Sequence, residues 1–362
     1  MASADIPTFE NVTATFNLQA SPSAANLESQ PGPDTSWVAP GRNNDGTPAV
    51  PLTIAHRGLK AKYPENTMSG FTHAVEVGAQ GLEVDLHLSK DGVVVISHDA
   101  TLQRCYGVSK RIIDCDWAYL SSLRTTRAPF EPMPRLIDLL QYISAPDRTH
   151  VWLLLDIKLD DDSESMVRAI AETIESVPSE RRPWNERIIL GCWAAKYLSL
   201  CHKYLPSFPV ALISYSLLYA RQFLGIPNIS FNIKQKALMG PGGTQFLAEV
   251  KDAQRQIFVW TINEESFMRW STRNEVDGVI TDDPELFQGV CDEWEGNRLG
   301  YAGDTDGALN KDDKITILQR INVLMAAVVM FMLGGVFSIA HPVDLKAFTA
   351  KPSNDNVGSG EH

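Results

Sequence analysis

From residue 52 to residue 294 the chain alternates between short apolar runs that read as strands and amphipathic stretches that read as helices. That rhythm leaves few folds open, because strands separated by helical crossovers pair in parallel and must be covered on their outer face. Strands are expected over 52–55, 81–88, 151–158, 188–193, 209–215, 229–233, 256–262 and 276–281, with a short return strand over 93–96. Helices are expected over 68–77, 133–143, 163–177, 196–204, 217–224, 243–253, 264–273 and 284–294. The run 151–158 is apolar almost throughout, as a parallel strand buried on both faces should be. About eight parallel strands in this length is the count of an α/β TIM (β/α)8 barrel, placed here over 49–295.

The unit 52–99 gathers the ionisable residues. His56-Arg57-Gly58 follows the first strand directly, and Pro64-Glu65-Asn66-Thr67 precedes a helix that Asn66 or Thr67 can cap. In Gly81-Leu82-Glu83-Val84-Asp85-Leu86-His87-Leu88 the period of two puts Glu83, Asp85 and His87 on one face. Asp91-Gly92 then reads as a hairpin turn, and Ser97-His98-Asp99 ends the unit. Two carboxylates at i and i+2 favour a hard divalent cation between them, Mg²⁺ or Ca²⁺. His56 and His98 titrate near neutrality and suit a general base and a general acid. Arg57 offers a fork matched to phosphate, and Asp156 and Lys158 repeat the pattern as a metal ligand and a phosphate-binding ammonium. The bland alternatives are a solvated sheet face, a satisfied core histidine and an ordinary ion pair. The joint pattern, acids on one strand with histidines at two strand ends, favours a site for phosphodiester cleavage. Barrel sites lie at the C-terminal ends of strands, where Trp193, Trp260 and Asn263 also fall, Trp260 as a mouth-lining possibility.

His56-Arg57-Gly58, Pro64-Glu65-Asn66-Thr67, Glu83-Val84-Asp85 and His98-Asp99 together resemble the glycerophosphodiester phosphodiesterase family. Asp156-Ile157-Lys158, Val259-Trp260-Thr261-Ile262-Asn263 and Asp277-Gly278-Val279-Ile280-Thr281-Asp282-Asp283-Pro284 extend the resemblance to about residue 293. It implies a TIM barrel, a divalent metal on Glu83, Asp85 and Asp156, and a two-histidine mechanism with His56 and His98. Arg57 and Lys158 would hold the substrate phosphate, and Glu65 would orient this shell or approach the metal. Where the family usually has Glu-x-Lys this chain has Asp-x-Lys, one methylene shorter at Asp156.

The flanks shape the functional expectation. A net charge of −12 argues against a nucleic-acid partner and against broad adhesion to anionic lipid. Five widely spaced cysteines read as reduced thiols facing the cytosol. Residues 1–48, rich in Ser, Pro, Ala and Asn, read as a disordered or loosely packed arm without a secretory signal, although Phe9, Phe16 and Trp37 could dock on the barrel. The segment 100–132 has no clean period, apart from a short helix over 117–123. It is locally basic through Arg104, Lys110, Arg111, Arg124 and Arg127, and is placed near the mouth. A polar linker over 296–320 leads to an uncharged apolar run over 321–340, with a polar tail over 341–362. Twenty such residues span about 30 Å as a helix, enough for a hydrocarbon core. The expectation is a tail-anchored, metal-dependent phosphodiesterase acting on a membrane glycerophospholipid. Its catalytic domain would face the cytosol at the endoplasmic reticulum, mitochondrial outer membrane or lipid droplet. The composite is similar to the fungal phosphatidylglycerol-specific phospholipases C within the family. The rivals are a phosphodiesterase for soluble deacylated phospholipids and an inactive lipid-binding scaffold.

Overall fold

Strand β1 (Leu52–His56) pairs on one side with β2 (Gly81–Leu88) and on the other with β9 (Gly278–Thr281), and these two pairings close a sheet into a barrel. Around the circle, β2 is followed by β4 (Trp152–Ile157), β5 (Ile188–Cys192), β6 (Val210–Ser214), β7 (Ile229–Lys234) and β8 (Ile257–Trp260). Each pairs in parallel with the next, and β8 with β9. The one further strand among the described residues, β3 (Val94–Ile96), runs antiparallel beside β2. The chain is therefore the expected (β/α)8 barrel. The structure, a computed structural model, describes residues 35–41, 46, 49–298 and 315–343. The expected arm over 1–48, except for residues 35–41 and 46, falls outside the described residues. So do 299–314 of the linker and 344–362 of the tail.

The outer layer comprises α1 (Met68–Glu76), the short α2 (Gln103–Tyr106) and α3 (Trp117–Leu120), α4 (Leu136–Ile143), α5 (Ser163–Glu175), α6 (Lys196–Tyr204), α7 (Leu217–Arg221) and α8 (Gln235–Leu238). It continues with α9 (Gly243–Asp252), α10 (Glu265–Arg273), α11 (Pro284–Arg298) and α12 (Ile317–Ala340). Thr67 caps α1 by accepting a hydrogen bond from Gly70 N at 3.2 Å. The helix expected from residue 133 begins only at Leu136. Ile96 N donates to Pro134 O and Val95 bridges Arg135, so this stretch serves as an edge to β3 instead. The last barrel helix runs to Arg298, past the expected boundary at 295. The apolar C-terminal helix starts four residues earlier than residue 321, because Thr316 and Gln319 form a reciprocal capping box.

Two apolar layers fill the space between strands and helices, and a third fills the lower barrel lumen with Ile54, Trp152, Leu154, Ile189, Phe258 and Ile280. Trp152 is the plug. Its ring lies where a Cβ on Gly81 would come within 2.7 Å, so β2 must open on glycine for the indole to cross the lumen. Trp37 meets the Trp152 ring edge-on at 5.9 Å and Val38 is fully buried beside it, which docks this part of the N-terminal segment under the barrel. With the bottom filled by hydrocarbon, the charged lumen residues are left at the C-terminal strand ends.

Candidate active site

Parallel pairing fixes the acid cluster. In the register of β2 with β4, Asp85 stands opposite Asp156, and Glu83 lies one inward position below Asp85. Oxygen atoms of Glu83, Asp85 and Asp156 all lie within 4.8 Å of one another, and all three residues are buried. Burial, then repulsion from Asp85 and Asp156, pushes the Glu83 carboxyl well above the usual carboxylate range. Asp85 shifts the other way: burial would raise it, but the charges of Lys158 and Arg57 outweigh that and hold it ionised. The Lys158 ammonium lies 2.5 Å from Asp85 Oδ1 and 2.6 Å from Asp156 Oδ2, bridging two of the three acids. Trp193 Nε1 donates to Asp156 Oδ1 at 2.7 Å, and Asn66 Nδ2 donates to Asp85 Oδ2 at 2.8 Å. An all-oxygen, buried, three-carboxylate set suits a hard divalent cation such as Mg²⁺ or Ca²⁺ better than a soft or borderline one.

His56 ends β1, and its Nδ1 lies 2.5 Å from Asp282 Oδ1, just past the end of β9. Asp282 is fixed in turn by Asn263, whose Nδ2 donates to Asp282 Oδ2 at 2.8 Å and whose Oδ1 accepts from Asp282 N at 2.9 Å. Burial works to raise the Asp282 carboxyl, but the hydrogen bond to His56 prevails and brings it down to about 2. An ionised carboxylate can only accept, so His56 carries its proton on Nδ1 and leaves Nε2 with a lone pair, 3.9 Å from Glu83 Oε2. Burial is also the main influence on His56 itself and lowers its pKa. His98 is arranged alike. Its Nδ1 meets Asp99 Oδ1 at 2.7 Å, and Asp99, held by Arg104, titrates at about 2. Below it, buried His87 bridges Asp161 Oδ2 at 2.8 Å and the backbone carbonyl of His98 at 3.2 Å.

Arg57 follows β1 with φ +60°, a left-handed turn that swings its side chain back over the cluster. Its Nε lies 3.0 Å from Asp85 Oδ2, and one terminal nitrogen donates to Glu65 Oε1 at 2.9 Å. Glu65 also takes two hydrogen bonds from Arg104, at 2.7 and 2.8 Å. It thus braces Arg57 and stands outside the three-carboxylate group. The structure gathers His56, Arg57, Glu83, His98, Asp156 and Lys158 around one cavity of about 210 Å³, with Asp85 fully buried behind Arg57 and Lys158. Trp193 and Trp260 form its aromatic wall, their ring centroids 5.6 Å apart. Sequence reasoning missed Asp282, Lys234, Asn232 and the His87–Asp161 pair. Lys234 sits over the Trp260 ring at 4.4 Å, and burial lowers its pKa. The signal available for Asp282 was its place directly after the last strand, in Thr281-Asp282-Asp283-Pro284.

Oxygen ligands for a hard cation, beside cationic groups shaped for phosphate at the strand ends of a (β/α)8 barrel, define a phosphoric diester hydrolase. Comparison with known proteins narrows the class: a profile of the Glycerophosphoryl diester phosphodiesterase family matches residues 56–286, and the chain belongs to that family. Among its relatives, a glycerophosphodiester phosphodiesterase of Bacillus altitudinis is 26% identical over 238 residues, covering 64% of this chain and 94% of that protein. The lysophospholipase D GDPD1 of Rattus norvegicus is 26% identical over 270 residues, covering 64% of this chain and 83% of the relative. A phosphodiesterase of Oleispira antarctica, solved with its product sn-glycerol-3-phosphate, superposes with a TM-score of 0.59 at 22% identity, covering 67% of this chain and 97% of its own.

Proposed function

We propose that the protein hydrolyses the head-group phosphodiester of a membrane glycerophospholipid, foremost phosphatidylglycerol, giving diacylglycerol and glycerol phosphate. The observation that carries the hydrolytic part is the juxtaposition of three buried carboxylates with Arg57, Lys158 and two histidines around one cavity. The lipid part is supported by α12, a 24-residue apolar helix in which only Val323 and Gly334 are buried. The resemblance to the fungal phosphatidylglycerol-specific branch supports the choice of head group. The unpaired state of all five cysteines supports a cytosol-facing catalytic domain, as at the endoplasmic reticulum, mitochondrial outer membrane or lipid droplet.

Glu83, Asp85 and Asp156 would hold a divalent cation, which when bound supplies positive charge to a non-bridging phosphate oxygen. Arg57 and Lys158 bind the remaining phosphate charge, and their ion pairs with Asp85 and Asp156 keep them in place before substrate arrives. One of His56 and His98 takes the proton from the attacking water, or from a head-group hydroxyl whose cyclic phosphate product water then opens, through Nε2, and the other gives a proton to the departing diacylglycerol alkoxide. Asp282 and Asp99 each keep the proton on Nδ1 of their ring, so that Nε2 accepts a proton in the neutral ring that acts as base and donates one in the doubly protonated ring that acts as acid. Glu65 and Arg104 keep Arg57 and Asp99 in register.

A second reading, hydrolysis of lyso- or deacylated glycerophosphodiesters, is favoured by the names of the rat and Bacillus altitudinis relatives. Product analysis separates the two. The full chain is offered phosphatidylglycerol, phosphatidylinositol, a lysophospholipid and glycerophosphoglycerol, with and without EDTA. Diacylglycerol from phosphatidylglycerol, abolished by EDTA, is the expected result. Turnover of the lyso- or deacylated compounds alone would move the assignment to the second reading.

A further inference from the structure

The apolar helix does not stand away from the barrel. Along α12, the inward strip is Gln319, Val323, Ala327, Met330, Gly334 and Phe337, a spacing of three or four residues that marks one helix face. On the barrel, the partners of Gln319, Ala327, Gly334 and Phe337 all follow the C-terminal ends of strands. Gln319 donates to Glu264 Oε2 at 2.8 Å and to Ser266 Oγ at 3.0 Å, beyond β8. Asn322 accepts from Lys236 Nζ at 2.8 Å and Ala327 faces Gly240, both beyond β7. Gly334 is so close to Ser216, beyond β6, that an added Cβ would meet its Oγ at 2.2 Å. Phe337 packs edge-on against Tyr215 and Tyr219. The helix therefore runs across three successive loops of the catalytic rim, tangentially to the barrel and not out along its axis.

Apart from Arg320 and Asn322 near its start, its remaining circumference is apolar and open. Leu318, Ile321, Met325, Val329, Phe331 and Met332 are all about half exposed or more, along with further large apolar residues on the same three sides. A protein partner covers one face of a helix, whereas a hydrocarbon phase wets all the sides left open, and only the latter matches this distribution. Two independent features lie on the same rim. Outside α12, the exposed large hydrophobic residues among the described ones are Phe130 and Leu218. Leu218 is the second residue of α7, just after β6, and Phe130 sits in the loop whose Arg127 donates to the carbonyls of Lys60, Ala61 and Tyr63 after β1. The same excursion exposes Lys110, Arg111 and Arg124, a local basic group in a chain of net charge −12, complementary to anionic head groups.

We propose that α12 lies in the plane of a bilayer surface while still docked on the barrel, so that the catalytic mouth is pressed onto the lipid. The proposal rests on the membrane reading above and specifies its geometry: the enzyme lifts its substrate from the leaflet it lies on, and the helix does not cross to the other side. Substrate reaches the site between the immersed rim of α7, α8 and α12 and the basic excursion opposite.

Position, not activity, tests it. Full-length protein carrying Cys105→Ser is labelled with an environment-sensitive fluorophore at Leu218→Cys, Phe130→Cys, Phe331→Cys or, at the opposite end of the barrel, Asp147→Cys. Each is bound to vesicles of phosphatidylcholine and phosphatidylglycerol, with EDTA to stop turnover. The expected result is a blue shift and loss of most emission to lipid-borne quenchers at 331, 218 and 130, and no change at 147. A second variant, Gly240→Cys with Ala327→Cys, should cross-link on the vesicles and in detergent alike. Quenching at 331 with positions 218 and 130 left in water, or loss of the cross-link on vesicles, would overturn the proposal in favour of a spanning anchor. No quenching at any position would overturn it together with the membrane reading, whatever the product analysis finds.

Discussion

At the scale of single residues, the proposed mechanism gives Asp282 its part through His56, whose Nδ1 it holds. Asp282→Asn keeps the size of the side chain but lets an amide N–H face Nδ1, which favours the wrong tautomer. We expect kcat to fall by on the order of 10² with KM little changed, measured by steady-state turnover of the preferred diester. His56→Ala and His98→Ala should each lose roughly 10²–10⁴ in kcat with the far-ultraviolet dichroism of the wild type. Full activity in either would remove that histidine from the mechanism. Asp277 shows how burial alone matters away from the site: its carboxyl is pushed up to about 6, with Oδ2 accepting from Ile257 N at 2.7 Å. With its pKa raised on folding, the native state holds more protons than the unfolded chain between about pH 4 and 6. Stability contributed by this group is therefore full at low pH and is lost as pH rises through that window. Asp277→Asn should remove the loss and stabilise the fold at pH 7.5 by roughly 1–3 kcal/mol, read from urea melts at pH 4 and 7.5. Glu83 and Asp85 were legible from the period of two in one strand. Asp282 was harder to read: its place directly after the last strand is a signal, but it reaches His56 across 226 positions and the same place suits a helix-leading acid.

At the scale of elements, strands were easier to read than the pieces between them. Uniformly buried runs such as Trp152–Ile157 announce themselves, and the helices after them show an apolar stripe that ends where it should. The stretch 133–135 was misread because Met133 and Leu136 continue a helical pattern. Only the pairing of Val95 with Arg135 shows that the backbone there is extended. A buried arginine is a second case that pattern cannot resolve. Arg187, directly before β5, is fully buried and donates to the carbonyls of Val151, Ile143 and Arg148 at 3.0, 2.7 and 3.0 Å. It ties the end of α4 and the start of β4 to β5, with no ion-paired carboxylate among the described residues, and burial brings its pKa down to about 10. Arg187→Met would leave those carbonyls without their donor and should cost about 2–4 kcal/mol. A fall in Tm of roughly 5–15 °C in calorimetry is the expected readout.

At the scale of the whole molecule, the three-carboxylate cluster places like charge in a region that burial already makes unfavourable for it. An ion that binds there and not to the unfolded chain stabilises the protein by mass action, about 2.7 kcal/mol at one hundred times its Kd. Mg²⁺ or Ca²⁺ should accordingly raise Tm of EDTA-treated protein, and Glu83→Gln should abolish the rise. An equal rise in the variant would show that the ion binds elsewhere. The barrel as a whole was legible because its repeat is in the sequence, whereas the seating of α12 on the rim was not. Hydropathy records how apolar that helix is but not which of its sides meets protein. The closure of the barrel carries one more consequence. His56 leaves the ribosome early and Asp282 late, and they meet only when β1 and β9 zip together. A chain still being synthesised, or one truncated before its last strand, holds nearly all the catalytic groups yet lacks the contact that sets the proton on His56. On the proposed mechanism, any hydrolysis that depends on His56 waits for the last strand to join the first.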